Sequence, residues 1–161
     1  MKDKRILLLI KRILMELTVH HFNSGIDPNS LRMAACFDLD WTLVRPESSK
    51  FPRNYSDNVI MNNRITVLKE YIKMGYGIVI FTHLDVMLIS TILGSSKITT
   101  NQKLTNKENL QFKYNRISDI MNKFKVEGIP LVIYMATADD KYRKPNVGMW
   151  DQFRRSYKPK V

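Results

Sequence analysis

Cysteine is almost absent from this 161-residue chain, which has only Cys36. A single thiol excludes a disulfide framework and a cysteine-built zinc site, and makes a reducing compartment the default. Glycine and proline are scarce, six of each, which excludes collagen-like and proline-rich sequences. No stretch reaches the roughly 20 apolar residues that cross a bilayer, so no membrane partner is expected. Acidic residues are few beside basic ones, 15 against 26, for a formal charge of +11. That imbalance on a chain of about one domain's length points to a polyanionic partner, most simply nucleic acid. The 44% of hydrophobic residues excludes a disordered chain.

The first residues show a basic start, Met1 to Arg5, and an apolar run, Ile6 to Ile10. Lys11 and Arg12 break that run too early for a secretory signal, and no small-residue cleavage site follows. The expectation is an intracellular protein, cytoplasmic or nuclear and not secreted. At 100° per residue, Lys4, Arg5, Lys11, Arg12 and Glu16 share one arc, and the leucines and isoleucines between Ile6 and Leu17 fill the rest. Residues 1–30 therefore read as an N-terminal amphipathic helix and connector packed on the domain formed by 31–161.

That domain alternates strand and helix signals. Met33 to Phe37 reads as a short buried strand. Arg45 to Asn58, with Pro46 and Pro52, reads as a loop or flap in which Ser56 or Asp57 can cap a helix. Met61, Ile65, Leu68 and Ile72 recur at helical spacing before Gly75. Gly77 to Thr82 reads as a second strand, Val86 to Leu93 as a short helix, and Ser95 to Asn109 as a polar excursion. Ile117, Ile120, Met121 and Phe124 give another helical stripe, stopped by Gly128, and Leu131 to Met135 a third strand. This order predicts an α/β fold, a Rossmann-like parallel sheet with helices on its faces.

Ligands of such sheets bind beyond the carboxyl ends of the strands. The first strand ends in Asp38 and Asp40, the second in Thr82 and His83, and the third leads to Lys144. Two carboxylates, a hydroxyl and a lysine at one rim suit phosphoryl transfer. One carboxylate attacks phosphorus, a second gives and takes the proton, and Thr82 and Lys144 hold non-bridging oxygens. A divalent metal offsets the repulsion between carboxylate and phosphate. Taken alone, an acidic pair after a strand also serves as a turn and cap.

Residues 37–44, FDLDWTLV, resemble the first motif of the haloacid dehalogenase-like phosphatases, DxDGT, and IVIFT at 78–82 their second. Tyr142-Arg143-Lys144-Pro145 followed by Gly148-Met149-Trp150 resembles more narrowly the phosphatase domain of the polynucleotide kinase/3′-phosphatase family, as do Phe51-Pro52 and Ala136-Thr137. The resemblance implies a DNA 3′-phosphatase of nucleic-acid end repair, with Asp38 as the nucleophile that becomes aspartyl-phosphate and Asp40 as general acid/base. Thr82 would bind a phosphoryl oxygen and Lys144 would steady the phosphoenzyme. Mg2+ would be held by the Asp38 carboxylate and the Asp40 main-chain carbonyl. Thr42, His83 and Arg143 would contact substrate. The family has glycine where this chain has Trp41, so local rearrangement is expected there.

The family's fourth motif, acidic residues on a strand beyond the lysine, has no counterpart before Val161. The sheet is thus expected to be truncated after its third core strand, with the first strand near an open edge. The N-terminal helix, a second copy or a partner chain would cover it. Asp139 and Asp140 precede Lys144 and are not read as metal ligands. The basic run from Lys141 to Lys160 suits DNA 3′ ends, with Tyr142, Trp150 and Tyr157 as candidate stacking rings, although Trp150 reads better as core. Two alternatives stay open: a degenerate phosphatase-like module that binds nucleic acid without turnover, and a small-molecule phosphatase.

Overall fold

The computed structural model describes residues 4–6, 17–48, 50, 52–83 and 106–159. The elements run β1 (Val19–Ser24), β2 (Met33–Phe37), β3 (Val44–Arg45), β4 (Val59–Ile60), α1 (Arg64–Lys73), β5 (Tyr76–His83), α2 (Asn106–Val126), β6 (Leu131–Ala136) and α3 (Gly148–Tyr157). The main sheet has the order β1-β6-β5-β2. β2, β5 and β6 are parallel, and β1 joins β6 antiparallel. A second, two-stranded sheet pairs β3 with β4.

The middle of β5, Ile78 to Phe81, and all of β6 are apolar because both faces of the sheet are covered there. Ile78, Ile80, Leu131, Ile133 and Met135 face one core, with Leu68 of α1 and Ile117, Ile120 and Phe124 of α2. Their neighbours Val79, Val132, Tyr134 and Ala136 face the other core, with Met149, Phe153 and Tyr157 of α3. The period of two along the strands thus meets helical spacings of four on α3, giving three layers. Glycine ends α1 and α2 as expected: Gly75 and Gly128 take φ of 93° and 72°, and their N–H groups bond Ile72 O and Lys125 O at 2.9 and 3.0 Å.

Three expectations change. The N-terminal region contributes a strand as well: β1 lies within residues 1–30, and only 4–6 of the expected helix are described, as helix. Among the described residues β2 stands at one edge of the sheet and β1 at the other, Val19 opposite Ala136 through Ser24 opposite Leu131. Residues 106–109, read as loop, open α2, while Val86 to Leu93 and the rest of the excursion lie outside the described residues. Neither Ser56 nor Asp57 caps a helix, since α1 starts at Arg64 behind Asn63, whose side chain makes no cap bond. No helix among the described residues is long and apolar enough to cross a membrane.

Candidate active site

β2 and β5 bring the first two motifs together. Phe37 lies opposite Ile80, so Asp38 follows the end of β2 while Thr82 lies one residue before the end of the neighbouring strand β5, opposite Met135. Thr82 is buried and His83 half-buried. Beyond Asp38 the chain makes a tight turn. Leu39 O accepts from the N–H groups of Thr42, Leu43 and Val44 at 3.3, 2.9 and 3.1 Å, and Trp41 N–H donates to Val44 O at 2.8 Å. Leu39 and Leu43 anchor the turn in the core, which leaves Asp38 and Asp40 at the rim with side chains 45% and 31% exposed.

Trp41 sits within this turn. It takes a φ of 58°, the left-handed region that glycine enters freely and that costs an L-residue about 1–2 kcal/mol, and its indole projects to solvent, 54% exposed. Thr42 receives the Arg64 guanidinium on its main-chain oxygen at 2.6 Å, which ties the turn to the start of α1.

Lys144 reaches this rim from the loop between β6 and α3, and its ammonium bonds Asp38 Oδ1. Asp140 organises that loop. Its Oδ1 accepts from Tyr142 N–H at 2.9 Å, and its carbonyl accepts from Asn146 Nδ2 at 3.0 Å and Arg143 N–H at 3.1 Å. Gly148 closes the loop, its N–H 3.0 Å from Lys141 O. A Cβ at Gly148 would collide with that same oxygen, so the closure requires glycine. Arg143 lies 3.8 Å from the exposed Asp139. Of the candidate stacking rings, Trp150 packs on Phe81 and Phe153. Tyr157 is buried and bonded to His21 Nε2 at 2.6 Å, so it offers no open platform. The half-buried Tyr142 lies under the Lys141 ammonium, 5.0 Å from the ring centroid.

A flap rises beside the turn on β3 and β4. Asp57 holds its loop by accepting from Glu47 N–H (3.1 Å), Ser48 Oγ (2.8 Å) and Arg53 N–H (2.9 Å). Burial pushes the Asp57 carboxyl upward, but these hydrogen bonds and the nearby Arg53 charge outweigh it and hold the pKa down at about 2.

The partner of Asp40 is Arg116, a residue that sequence reasoning missed. Its guanidinium donates to both Asp40 oxygens, with the Nη1–Oδ2 distance at 3.2 Å. Arg116 is only 1% exposed. The available signal was positional: Lys113, Arg116, Ile120 and Phe124 share helical spacing, so two cations sit on the inward stripe of α2.

No group of three His, Cys, Asp or Glu side chains suited to a metal occurs among the described residues. Two hard oxygen donors are at hand, the exposed Asp38 carboxylate and the Asp40 main-chain carbonyl, which the turn's own hydrogen bonds do not use. Such a pair fits magnesium, which takes one or two protein oxygens and fills its remaining positions with water and substrate oxygens.

The profile of the family described as polynucleotide kinase 3 phosphatase matches residues 33–161. An uncharacterized 20.8 kDa protein from the FGF–VUBI intergenic region of Autographa californica nuclear polyhedrosis virus is 32% identical over 124 residues, covering 76% of this chain and 57% of its own length. The crystal structure of a protein of Mesorhizobium loti described as a HAD-like phosphatase superposes with a TM-score of 0.63 at 15% identity, over 88% of this chain and 66% of that one. The match from β2 through α3 covers every element that builds the rim, and the chain belongs to the polynucleotide kinase 3 phosphatase family, on the haloacid dehalogenase-like fold.

Proposed function

We propose that the chain is a magnesium-dependent phosphomonoesterase that removes 3′-phosphates from DNA ends. The observation that carries this reading is the exposed Asp38 carboxylate, held through one oxygen by Lys144, with a second carboxylate, Asp40, two residues away on the same turn. The Asp38 oxygen that Lys144 does not hold attacks phosphorus. The bond to the 3′-oxygen breaks, and Asp40 gives that oxygen its proton. Water then attacks the aspartyl-phosphate, its proton returns to Asp40, and inorganic phosphate leaves. Lys144 and Thr82 hold the non-bridging oxygens throughout. The Asp38 carboxylate and the Asp40 carbonyl would hold Mg2+, which would offset the repulsion between carboxylate and phosphate. Thr42, His83 and Arg143 contact the substrate from the rim, and the excess of basic residues supports a nucleic-acid partner.

The test is phosphate release with magnesium from a 3′-phosphorylated oligonucleotide. Release is expected from the unmutated protein and none from Asp38→Asn. A metal-dependent preference for free sugar phosphates would instead make it a small-molecule enzyme. The remaining alternative is a module that binds phosphorylated ends without turnover. It would show end binding and no release.

A further inference from the structure

Arg116 is almost wholly enclosed, yet the carboxylate it holds opens to solvent at the rim. Its cation is braced from behind. Nε donates to Asn58 Oδ1 at 3.1 Å. Asn58, itself 2% exposed, donates through Nδ2 to Tyr55 O at 2.7 Å and to Asp119 Oδ2 at 2.9 Å. Lys123 closes the series on Asp119 at 2.7 Å. The chain of bonds therefore runs from α2 through the base of the flap to Asp40. A buried ion pair brings little net stability, since desolvation offsets its attraction. What a two-pronged guanidinium supplies is geometry: it fixes the plane and rotation of the carboxylate, as a lysine's point charge does not.

We propose that Arg116 is a positioning residue that holds Asp40 in the one orientation from which it passes protons at the phosphoryl centre, with Asn58 anchoring the guanidinium to the flap. This rests on the reading of Asp40 as general acid/base given above. If Arg116 acts through Asp40, its loss falls on steps that need a proton passed. Cleavage of an alkyl phosphate needs one, because the leaving alkoxide is strongly basic. Cleavage of p-nitrophenyl phosphate does not, because the phenolate leaves unaided, whereas hydrolysis of the aspartyl-phosphate needs a base with either substrate.

The experiment compares unmutated protein with Arg116→Met and Arg116→Lys on a 3′-phosphorylated oligonucleotide and on p-nitrophenyl phosphate, with rapid mixing for the latter. Arg116→Met is expected to lose about 100-fold in turnover on the oligonucleotide. It should still release a burst of about one p-nitrophenolate per protein before slow turnover, and Arg116→Lys should recover part of the loss. In an Asp40→Asn background, Arg116→Met should cost nothing further in turnover, the non-additivity of residues acting as one unit. That comparison holds even where Arg116→Met lowers stability, because both proteins are corrected for their folded fraction. Equal losses on both substrates without a burst, unchanged turnover, or additive losses with Asp40→Asn would overturn the proposal while leaving the phosphatase reading standing. No hydrolysis of either substrate by the unmutated protein would overturn both.

Discussion

At the scale of single residues, the groups legible in the sequence were those whose partners lie in short, ordered motifs. Asp38 and Lys144 are 106 residues apart in the chain, yet each follows a recognisable strand, and α/β topology brings strand ends to one rim. Arg116 was legible only as a cation on the inward stripe of α2, since its partners, Asp40 and Asn58, are supplied by the tertiary structure. Gly148 lies between these cases. The glycine appears in the motif, but its reason, the closeness of Lys141 O, exists only in three dimensions. Gly148→Ala must displace backbone rather than the end of a flexible side chain. It is expected to destabilise the protein by about 1–3 kcal/mol, lowering the thermal midpoint by several degrees. Because the same loop carries Lys144, phosphate release should fall beyond the loss of folded protein. An unchanged midpoint and unchanged activity would show that the loop closes without glycine.

At the scale of elements, strands buried on both faces were legible as unbroken apolar runs, and helix ends as glycines. β1 was not, because its sequence, VHHFNS, is half polar. Its histidines find partners only in the fold. His20 Nδ1 bonds the Tyr114 hydroxyl of α2 at 2.5 Å, and His21 bonds Tyr157 of α3. Burial lowers the pKa of both imidazoles, and the nearby Lys113 charge also lowers that of His20. The unfolded chain titrates near 6.5, above the folded values, so it binds more protons as pH falls through that region. Stability is therefore full above about 6.5 and declines below it. Asp57 acts in a separate window. Its stabilisation is present above about 4 and is lost as pH falls toward its folded value of about 2. Denaturant midpoints are expected to drop between pH 7.5 and 5 in the unmutated protein and to drop less in His20→Gln. Equal slopes in the two would remove His20 as the cause.

At the scale of the whole molecule, the charge of +11 was legible at once, but its arrangement was not. Lys141 is exposed and Arg143 and Lys144 half-buried on the loop that reaches Asp38, while Arg154 and Arg155 lie exposed farther along α3, which begins at that loop. A strand of nucleic acid whose 3′-phosphate meets Asp38 and whose preceding phosphates follow this face would release counterions at each contact. A merely solvated basic face would release few. The measurement is binding of Asp38→Asn to a 3′-phosphorylated single strand as salt is raised. Each phosphate neutralised contributes about −0.7 to the slope of log K against log salt. Contact with four phosphates therefore gives a slope of about −3. Arg154→Gln with Arg155→Gln should make it shallower by about one unit or more, with turnover of a small phosphate monoester by the otherwise unmutated protein unchanged. A slope no steeper than about −0.7 would mean that only the terminal phosphate is held, and would assign the remaining positive charge to solvation.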